Sequence, residues 1–232
     1  MEALQSGQPL EKVFFQQGLR GDLEKEVRHL CRVRDIPMQV VPREKLGRLV
    51  KGAHQGLVAA VPTIEYQKLS DVLKSVVEAG ETPLFIVLEG VTDVRNVGAI
   101  ARSALVAGAH AIVLPKNNSA LLNEDAMKAS AGALNHLPVC RENSVSHVID
   151  FLKNNGVRVV ATDLLDESEP IFSVDMTGPT AILLGSEGEG LATNLLKKSD
   201  HVCKIPQTVD FDSYNVSVAA GICLYEAIRQ RS

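Results

Sequence analysis

The segment Asp210-Phe-Asp-Ser-Tyr-Asn215-Val-Ser-Val-Ala-Ala-Gly-Ile-Cys-Leu-Tyr-Glu226 decides how this chain is read. A polar Ser213-Tyr214-Asn215 cluster opens directly onto an apolar helix, after a loop that begins at Lys204-Ile205-Pro206. The first turn of a helix carries N–H groups with no partner inside the helix, so a Ser or Asn there either caps them or offers hydrogen bonds to a ligand. On its own the cluster reads as a cap. Two upstream segments shift that balance, Asn96-Val-Gly-Ala-Ile-Ala-Arg102 and Leu184-Gly-Ser-Glu-Gly-Glu-Gly190.

Strands and helices alternate around these segments from Pro83 onward. Strands are expected at Leu84–Leu88, Ala111–Leu114, Leu137–Cys140, Val157–Ala161, Thr180–Leu184 and His201–Ile205. Helices are expected near Asn96–Ala107, Glu124–Ala133, Val145–Asn154, Leu191–Lys198 and at the C-terminus. Nearly continuous apolar strands separated by helices imply an α/β unit with a mostly parallel sheet covered on both faces. Such sheets bind ligands at the carboxyl ends of their strands, and all three segments follow a strand.

Upstream, Leu23, Val27, Leu30 and Cys31 fall at helical spacing, Ile36–Val41 reads as a strand, and Leu57–Val61 as another closed by Pro62. A short connection carrying Arg43, Lys45, Arg48 and Lys51 lies between. The organisation expected is therefore a small N-terminal α/β domain over residues 1–64, a linker with one helix (Leu69–Glu78) over residues 65–82, and a larger domain over residues 83–232.

The formal net charge is −4, but it is unevenly placed. Between Lys12 and Lys51 there are ten Lys or Arg against five acids, about +5, which leaves about −9 elsewhere. That asymmetry fits one region meeting phosphates, and it fits a solvated charged surface equally well. No apolar run approaches the roughly 20 residues that span a bilayer, and the N-terminus lacks the order of a signal peptide, so no membrane role and a cytoplasmic location are expected. Cys31, Cys140, Cys203 and Cys223 are scattered without metal-ligand spacing, so free thiols and no metal are expected.

Gly185-Ser-Glu-Gly-Glu-Gly190 resembles a phosphate-cradling turn. It lacks the G-x-G-x-x-G order and a following Lys-Ser/Thr, and Glu187 and Glu189 would repel phosphate. Its glycines fit a tight turn or a close backbone approach to an uncharged or cationic ligand. Arg102 projects away from the stripe of Val97, Ile100, Ala101, Ala104 and Leu105, so it is either an exposed Arg or a phosphate holder. Asn96 is placed to cap its helix.

Taken together the three segments resemble those of a known family. Residues 83–231 closely resemble the SpoU/TrmH family of S-adenosylmethionine-dependent RNA ribose 2′-O-methyltransferases, part of the SPOUT superfamily. Asn96–Arg102 matches its first motif, Leu184–Gly190 its second, and Ile205-Pro206 with Ser213–Ala219 its third. His54-Gln-Gly-Leu-Val58 is similar to the family's L30e-like substrate-binding domain. The resemblance implies a C-terminal deep trefoil knot that forms the cofactor pocket, and a homodimer formed through the same domain. Composition alone would have suggested an open doubly wound sheet, since knots are rare. A C-terminal helix apolar around most of its circumference agrees with burial against a second copy.

Carried over by position, Gly185, Ile205 and Tyr214, with Thr162, are expected to line S-adenosyl-L-methionine. Asn96, Arg102, Glu187, Ser213 and Asn215 are expected to form the catalytic cluster. The implied reaction places a methyl group on the ribose 2′-OH of a guanosine in structured RNA, with 23S rRNA favoured and tRNA the alternative. A non-catalytic RNA-binding or assembly factor of the same fold is the competing class, and a nucleotide-dependent oxidoreductase a remote third. The sequence departs from the family at Tyr214, where Leu is usual, and at Asp210 and Asp212, where small residues are usual. It also begins Met1-Glu-Ala-Leu, without the strand and glycine that open relatives, so a truncated start is expected.

Overall fold

A computed structural model describes the chain except residues 7–9, 20, 51, 53, 187, 189 and 210–212, and except the side chains of residues 2 and 3. The chain divides into two compact units, Met1–Thr63 and Ile64–Ser232.

The first unit contains α1 (Glu2–Gln5), β1 (Lys12–Gln16), α2 (Asp22–Val33), β2 (Met38–Val41), α3 (Arg43–Leu49) and β3 (Leu57–Ala60). Its sheet runs β2-β1-β3, with β1 parallel to β2 and antiparallel to β3. Val13 and Phe15 on β1 pack with Val27 and Cys31 of α2, which makes β1 the centre of this core. Three of these elements, α1, β1 and α3, were not expected from sequence. β1 carries a buried Lys12 at its start, which hides the apolar run behind it, and α3 offers a single buried residue, Leu46, in seven.

The second unit comprises β4 (Tyr66–Gln67), α4 (Leu69–Glu78), β5 (Leu84–Leu88), α5 (Val94–Val106), β6 (Ala111–Pro115), α6 (Glu124–Ala129), β7 (Val139–Glu142), α7 (Val145–Asn154), β8 (Arg158–Thr162), β9 (Glu169–Pro170), β10 (Thr180–Leu184), α8 (Thr193–Lys198), β11 (His201–Lys204) and α9 (Val216–Arg231). The sheet order is β4-β7-β6-β5-β10-β8-β11-β9, and every pairing in it is parallel. The mostly parallel α/β fold expected from sequence is present. Residues 65–82, expected as a linker, instead belong to this unit. β4 pairs with β7, and Leu69, Val72, Leu73 and Val76 of α4 are buried against Phe85 and Val87 of β5. Their apolar stripe recurs every three or four residues and needs a surface to cover it.

Strand residues alternate between two cores. Leu84, Ile86 and Leu88 face the layer of α5, α6 and α9. Phe85 and Val87 face the layer of α4, α7 and α8. The α5–α6 contact is close enough to exclude a side chain. A Cβ on Gly98 would lie 2.6 Å from the Ala129 Cβ and 2.8 Å from the Ala126 carbonyl oxygen. Gly98→Ala is therefore expected to destabilise the fold by about 1–3 kcal/mol, read as a lowered Tm in thermal denaturation, because backbone must move to admit the methyl.

Helix α9 packs against α5 and β10 and is fixed at its far end. Arg231 donates to the carbonyls of Met176 (2.9 Å), Gly178 (2.7 Å), Thr82 and Pro83 (both 3.2 Å). Gln230 bridges the Met176 N–H and the Val174 carbonyl. Hydrogen bonds from Arg229, then Gln230, hold the Glu226 carboxyl below its usual range. Anchored there, the helix delivers its first residues to the carboxyl edge of the sheet. All four cysteines are buried and free. Among the described residues, no helix is long and apolar enough to cross a membrane, and no group of three or more His, Cys, Asp or Glu could hold a metal ion.

Candidate active site

Strand β10 fills the place between β5 and β8, although it follows both in sequence, so the order of strands switches there. A ligand crevice is expected outside the carboxyl ends of strands at such a point. The cleft found there has a volume of about 830 Å³. Leu184, Val216 and Ala219 form apolar parts of its wall, and Thr162, Gly185, Ile205 and Tyr214 all line it, together with Ser213 and Asn215.

The glycine-rich segment makes a closed turn. Ser186 and Gly190 form an isolated antiparallel bridge, with the Gly190 N–H donating to the Ser186 carbonyl at 3.1 Å. A Cβ on Gly185 would lie 2.5 Å from the Gly190 carbonyl oxygen and 2.8 Å from the Leu191 nitrogen. Gly188 and Gly190 have φ of 98° and 63°, the left-handed region that glycine tolerates. Gly185 is thus required where it stands. Glu187, expected in the catalytic cluster, lies outside the described residues, as do Glu189, Asp210 and Asp212.

The first and third motifs meet through a side-chain contact. Asn215 Nδ2 donates to Asn96 Oδ1 at 3.1 Å, joining the starts of α9 and α5. Asn215 Oδ1 also accepts from the Ser217 N–H at 3.0 Å and from the Ser217 hydroxyl at 2.5 Å, so the same residue caps α9. Capping and site-building are not alternatives here. Asn96 was expected to cap α5, but Asp93 does so, accepting from the Arg95 N–H at 2.8 Å. The Arg95 guanidinium adds two bonds to the same carboxylate, and these hydrogen bonds hold Asp93 below the usual carboxylate range. Relieved of capping, the Asn96 amide reaches across to Asn215.

Arg102 stands six residues beyond Asn96 on α5, about 9 Å along the axis. It is exposed and is not among the residues lining the cleft. Within one chain the structure therefore places Ser213 and Asn215 on the cleft, ties Asn96 to Asn215, and leaves Arg102 apart from them. Tyr214 lines the cleft and is 41% exposed. Thr162 donates its hydroxyl to the Leu183 carbonyl at 3.3 Å, which ties the carboxyl ends of β8 and β10 together. Cys203, also at the cleft, is fully buried, and that burial, followed by the Glu169 charge, pushes its thiol up to about 12.

Sequence reasoning missed Asp163, Leu164, Ser186 and Lys204, all of which line the cleft. Asp163 could have been found from its position alone, as the first residue beyond a parallel strand. The basic N-terminal segment is thinner than its charge suggested. Lys12 is 7% exposed, Arg34 donates to the Leu4 carbonyl at 2.6 Å, and Arg28 pairs with Glu24. Lys25, Arg32, Arg43, Lys45 and Arg48 remain on the surface of that unit. Lys51 lies outside the described residues.

A parallel α/β unit with a glycine-walled cleft where its strand order switches is a protein that binds an extended small molecule at the carboxyl edge of its sheet. Comparison with known proteins narrows this class. The chain belongs to the SpoU rRNA methylase family, whose profile matches residues 83–225, and residues 1–67 match the RNA 2′-O ribose methyltransferase substrate-binding family. It is 37% identical over 232 residues to YacO of Bacillus subtilis, assigned to the TrmH tRNA/rRNA methyltransferase family, covering 100% of this chain and 93% of YacO. Among solved structures it is similar to the SpoU methyltransferase AviRb from Streptomyces viridochromogenes, crystallised with AdoMet, at a TM-score of 0.64 and 26% identity over 99% of this chain and 86% of AviRb. An RNA 2′-O ribose methyltransferase structure is similar at a TM-score of 0.60 and 30% identity, covering 99% and 84% of the two chains.

Proposed function

We propose that this protein transfers the methyl group of S-adenosylmethionine to the ribose 2′-OH of a guanosine in structured RNA, with 23S rRNA favoured over tRNA. The observation that carries the reading is the Asn215–Asn96 hydrogen bond, which sets two amide side chains from separate motifs beside a cleft of cofactor size. The cleft residues fit the donor. Gly185 lets backbone approach closely, Leu184, Val216 and Ala219 offer apolar surface to an adenosyl group, and a carboxylate is available at Asp163. The donor supplies an electrophilic methyl on a sulfonium.

The chain's own part is alignment. An in-line displacement needs the ribose oxygen held along the axis of the breaking bond, and correct positioning accounts for a large share of such rate enhancements. Asn96, Ser213 and Asn215 are assigned to hold the ribose, and Glu187 is assigned to the same cluster. Arg102 keeps its charge under all ordinary conditions, so it is assigned to orient the RNA phosphate and stabilise the developing alkoxide rather than to take the proton. Its exposed place on α5 suits a group that meets a macromolecule. The exposed Lys25, Arg32, Arg43, Lys45 and Arg48 of the first unit are assigned to phosphate contacts.

Pairing of two chains through the C-terminal unit is part of the proposal. Val218, Tyr225 and Ile228 form a second apolar stripe on α9, 49%, 66% and 37% exposed, opposite the stripe buried in the chain's own core. The trefoil knot belongs to the proposal too. It is supported by the late placement of β10 between β5 and β8 and by the return of the chain from β11 to the α5 layer.

The test is incubation of the purified protein with methyl-labelled S-adenosylmethionine and unmethylated 23S rRNA or tRNA, followed by digestion to nucleosides. Label in 2′-O-methylguanosine from rRNA is expected. Label on a base, or in neither RNA, would overturn the reading.

A further inference from the structure

The cleft holds one acid among its described lining residues, Asp163, and neither motif nor comparison assigns it a role. It is the first residue past β8, and its N–H donates to the Cys203 carbonyl at 2.9 Å, so its backbone is fixed against β11. Its carboxylate reaches toward the end of the glycine turn, where a Cβ on Gly190 would stand 3.6 Å from Asp163 Oδ2. Among the described residues this carboxylate accepts no hydrogen bond and makes no ion pair.

The nearby cation is engaged elsewhere. Lys204 also lines the cleft, but its Nζ donates to the carbonyls of Leu165 (3.3 Å) and Asp166 (2.9 Å). It thereby ties down the loop that follows Asp163, which the Ser168 N–H closes on the Leu165 carbonyl at 3.0 Å. The fold thus holds a carboxylate in place at the edge of a cleft without giving it a partner among the described residues. A half-buried carboxylate so held gains most from donors brought by a ligand.

We propose that Asp163 binds the methyl donor by accepting hydrogen bonds from its ribose 2′- and 3′-hydroxyls. This rests on the donor assigned above. A methyl directed at a ribose held by Asn215 and Asn96, at the starts of α9 and α5, would leave the nucleoside of the donor on the β8 side of the cleft. Two adjacent hydroxyls match the two oxygens of one carboxylate. An acid at a strand end takes ribose hydroxyls in the same way in dinucleotide-binding sheets.

The experiment is calorimetric titration of the full chain, wild type, Asp163→Ala and the isosteric Asp163→Asn. The probes are S-adenosylmethionine, S-adenosylhomocysteine, 5′-methylthioadenosine and the 2′-deoxy form of the last. Binding of the first three is expected to weaken by roughly 10- to 100-fold in Asp163→Ala, with Asp163→Asn between. Wild type should discriminate against the 2′-deoxy probe, and Asp163→Ala should not. Loss confined to S-adenosylmethionine would mean that the carboxylate reads the sulfonium charge. Loss spared only by methylthioadenosine would mean that it reads the amino-acid ammonium. Either result, or unchanged affinities in both variants, overturns the assignment. Wild type that binds no S-adenosylmethionine at all would instead overturn the proposed function. Thermal melts of the variants matching wild type keep the comparison free of unfolding.

Discussion

Asn215→Ala is expected to lower methyl transfer to RNA by about 100-fold while leaving donor affinity within a few-fold of wild type. The side chain makes two kinds of bond, and they have different consequences. Its Oδ1 caps α9 through Ser217, and loss of such a cap costs about 1 kcal/mol of stability. Its Nδ2 reaches Asn96 and fixes the relative placement of two motifs 119 residues apart in sequence. Misplacement of reacting groups by about 1 Å can cost roughly 100-fold in rate, so the second loss dominates activity and the first dominates stability. Asn215→Asp separates them. It keeps the acceptor that caps α9, and a rotated Asn96 amide can donate to it, so this variant should recover Tm and part of the rate. Single-turnover label transfer beside calorimetric donor binding makes the measurement. Full activity in Asn215→Ala would remove Asn215 from the catalytic cluster.

Gly185→Ala is expected to weaken donor binding by roughly 10- to 100-fold and to destabilise the fold by about 1–3 kcal/mol. The added methyl meets the Gly190 carbonyl and the Leu191 nitrogen, which are backbone atoms inside a turn closed by the Ser186–Gly190 bridge. No flexible side chain can yield there. The turn must open, and it forms one wall of the cleft. Gly188→Ala is the useful comparison, because a Cβ there meets nothing within 4 Å and the strain is confined to its φ of 98°. It should cost stability but spare most donor affinity. Equal donor binding by Gly185→Ala and wild type would show that the turn does not shape the binding wall.

Several elements were legible in the sequence because their signals are local. α4, β5, α7 and β10 were placed end to end, each with a clean period of apolar residues and a clear boundary. The end of α6 was read four residues late, since Ala129–Ala133 remains apolar and small. The chain turns there because Ala131 and Gly132 take φ of 49° and 85° while Ser130 bonds the Met127 carbonyl. β4 and β9, two residues each, exist only because β7 and β11 offer edges to pair with. The segment before Pro83 looked like a linker because one amphipathic helix does not announce which surface it will cover.

The sequence by itself determined the parallel α/β class, the three motifs and the residues Gly185, Ile205, Ser213, Tyr214 and Asn215 that prove to share one cleft. These follow from side-chain periodicity and from short patterns whose meaning is carried by neighbouring residues. Only the tertiary structure decided that Asp93 and not Asn96 caps α5, that Asn96 instead meets Asn215, that Arg102 stands apart from both within one chain, and that Asp163 and Lys204 belong to the cleft. Each of these depends on contacts between strand ends and helix starts far apart in the chain. Such contacts are fixed by the order in which strands enter the sheet, and no local pattern encodes that order.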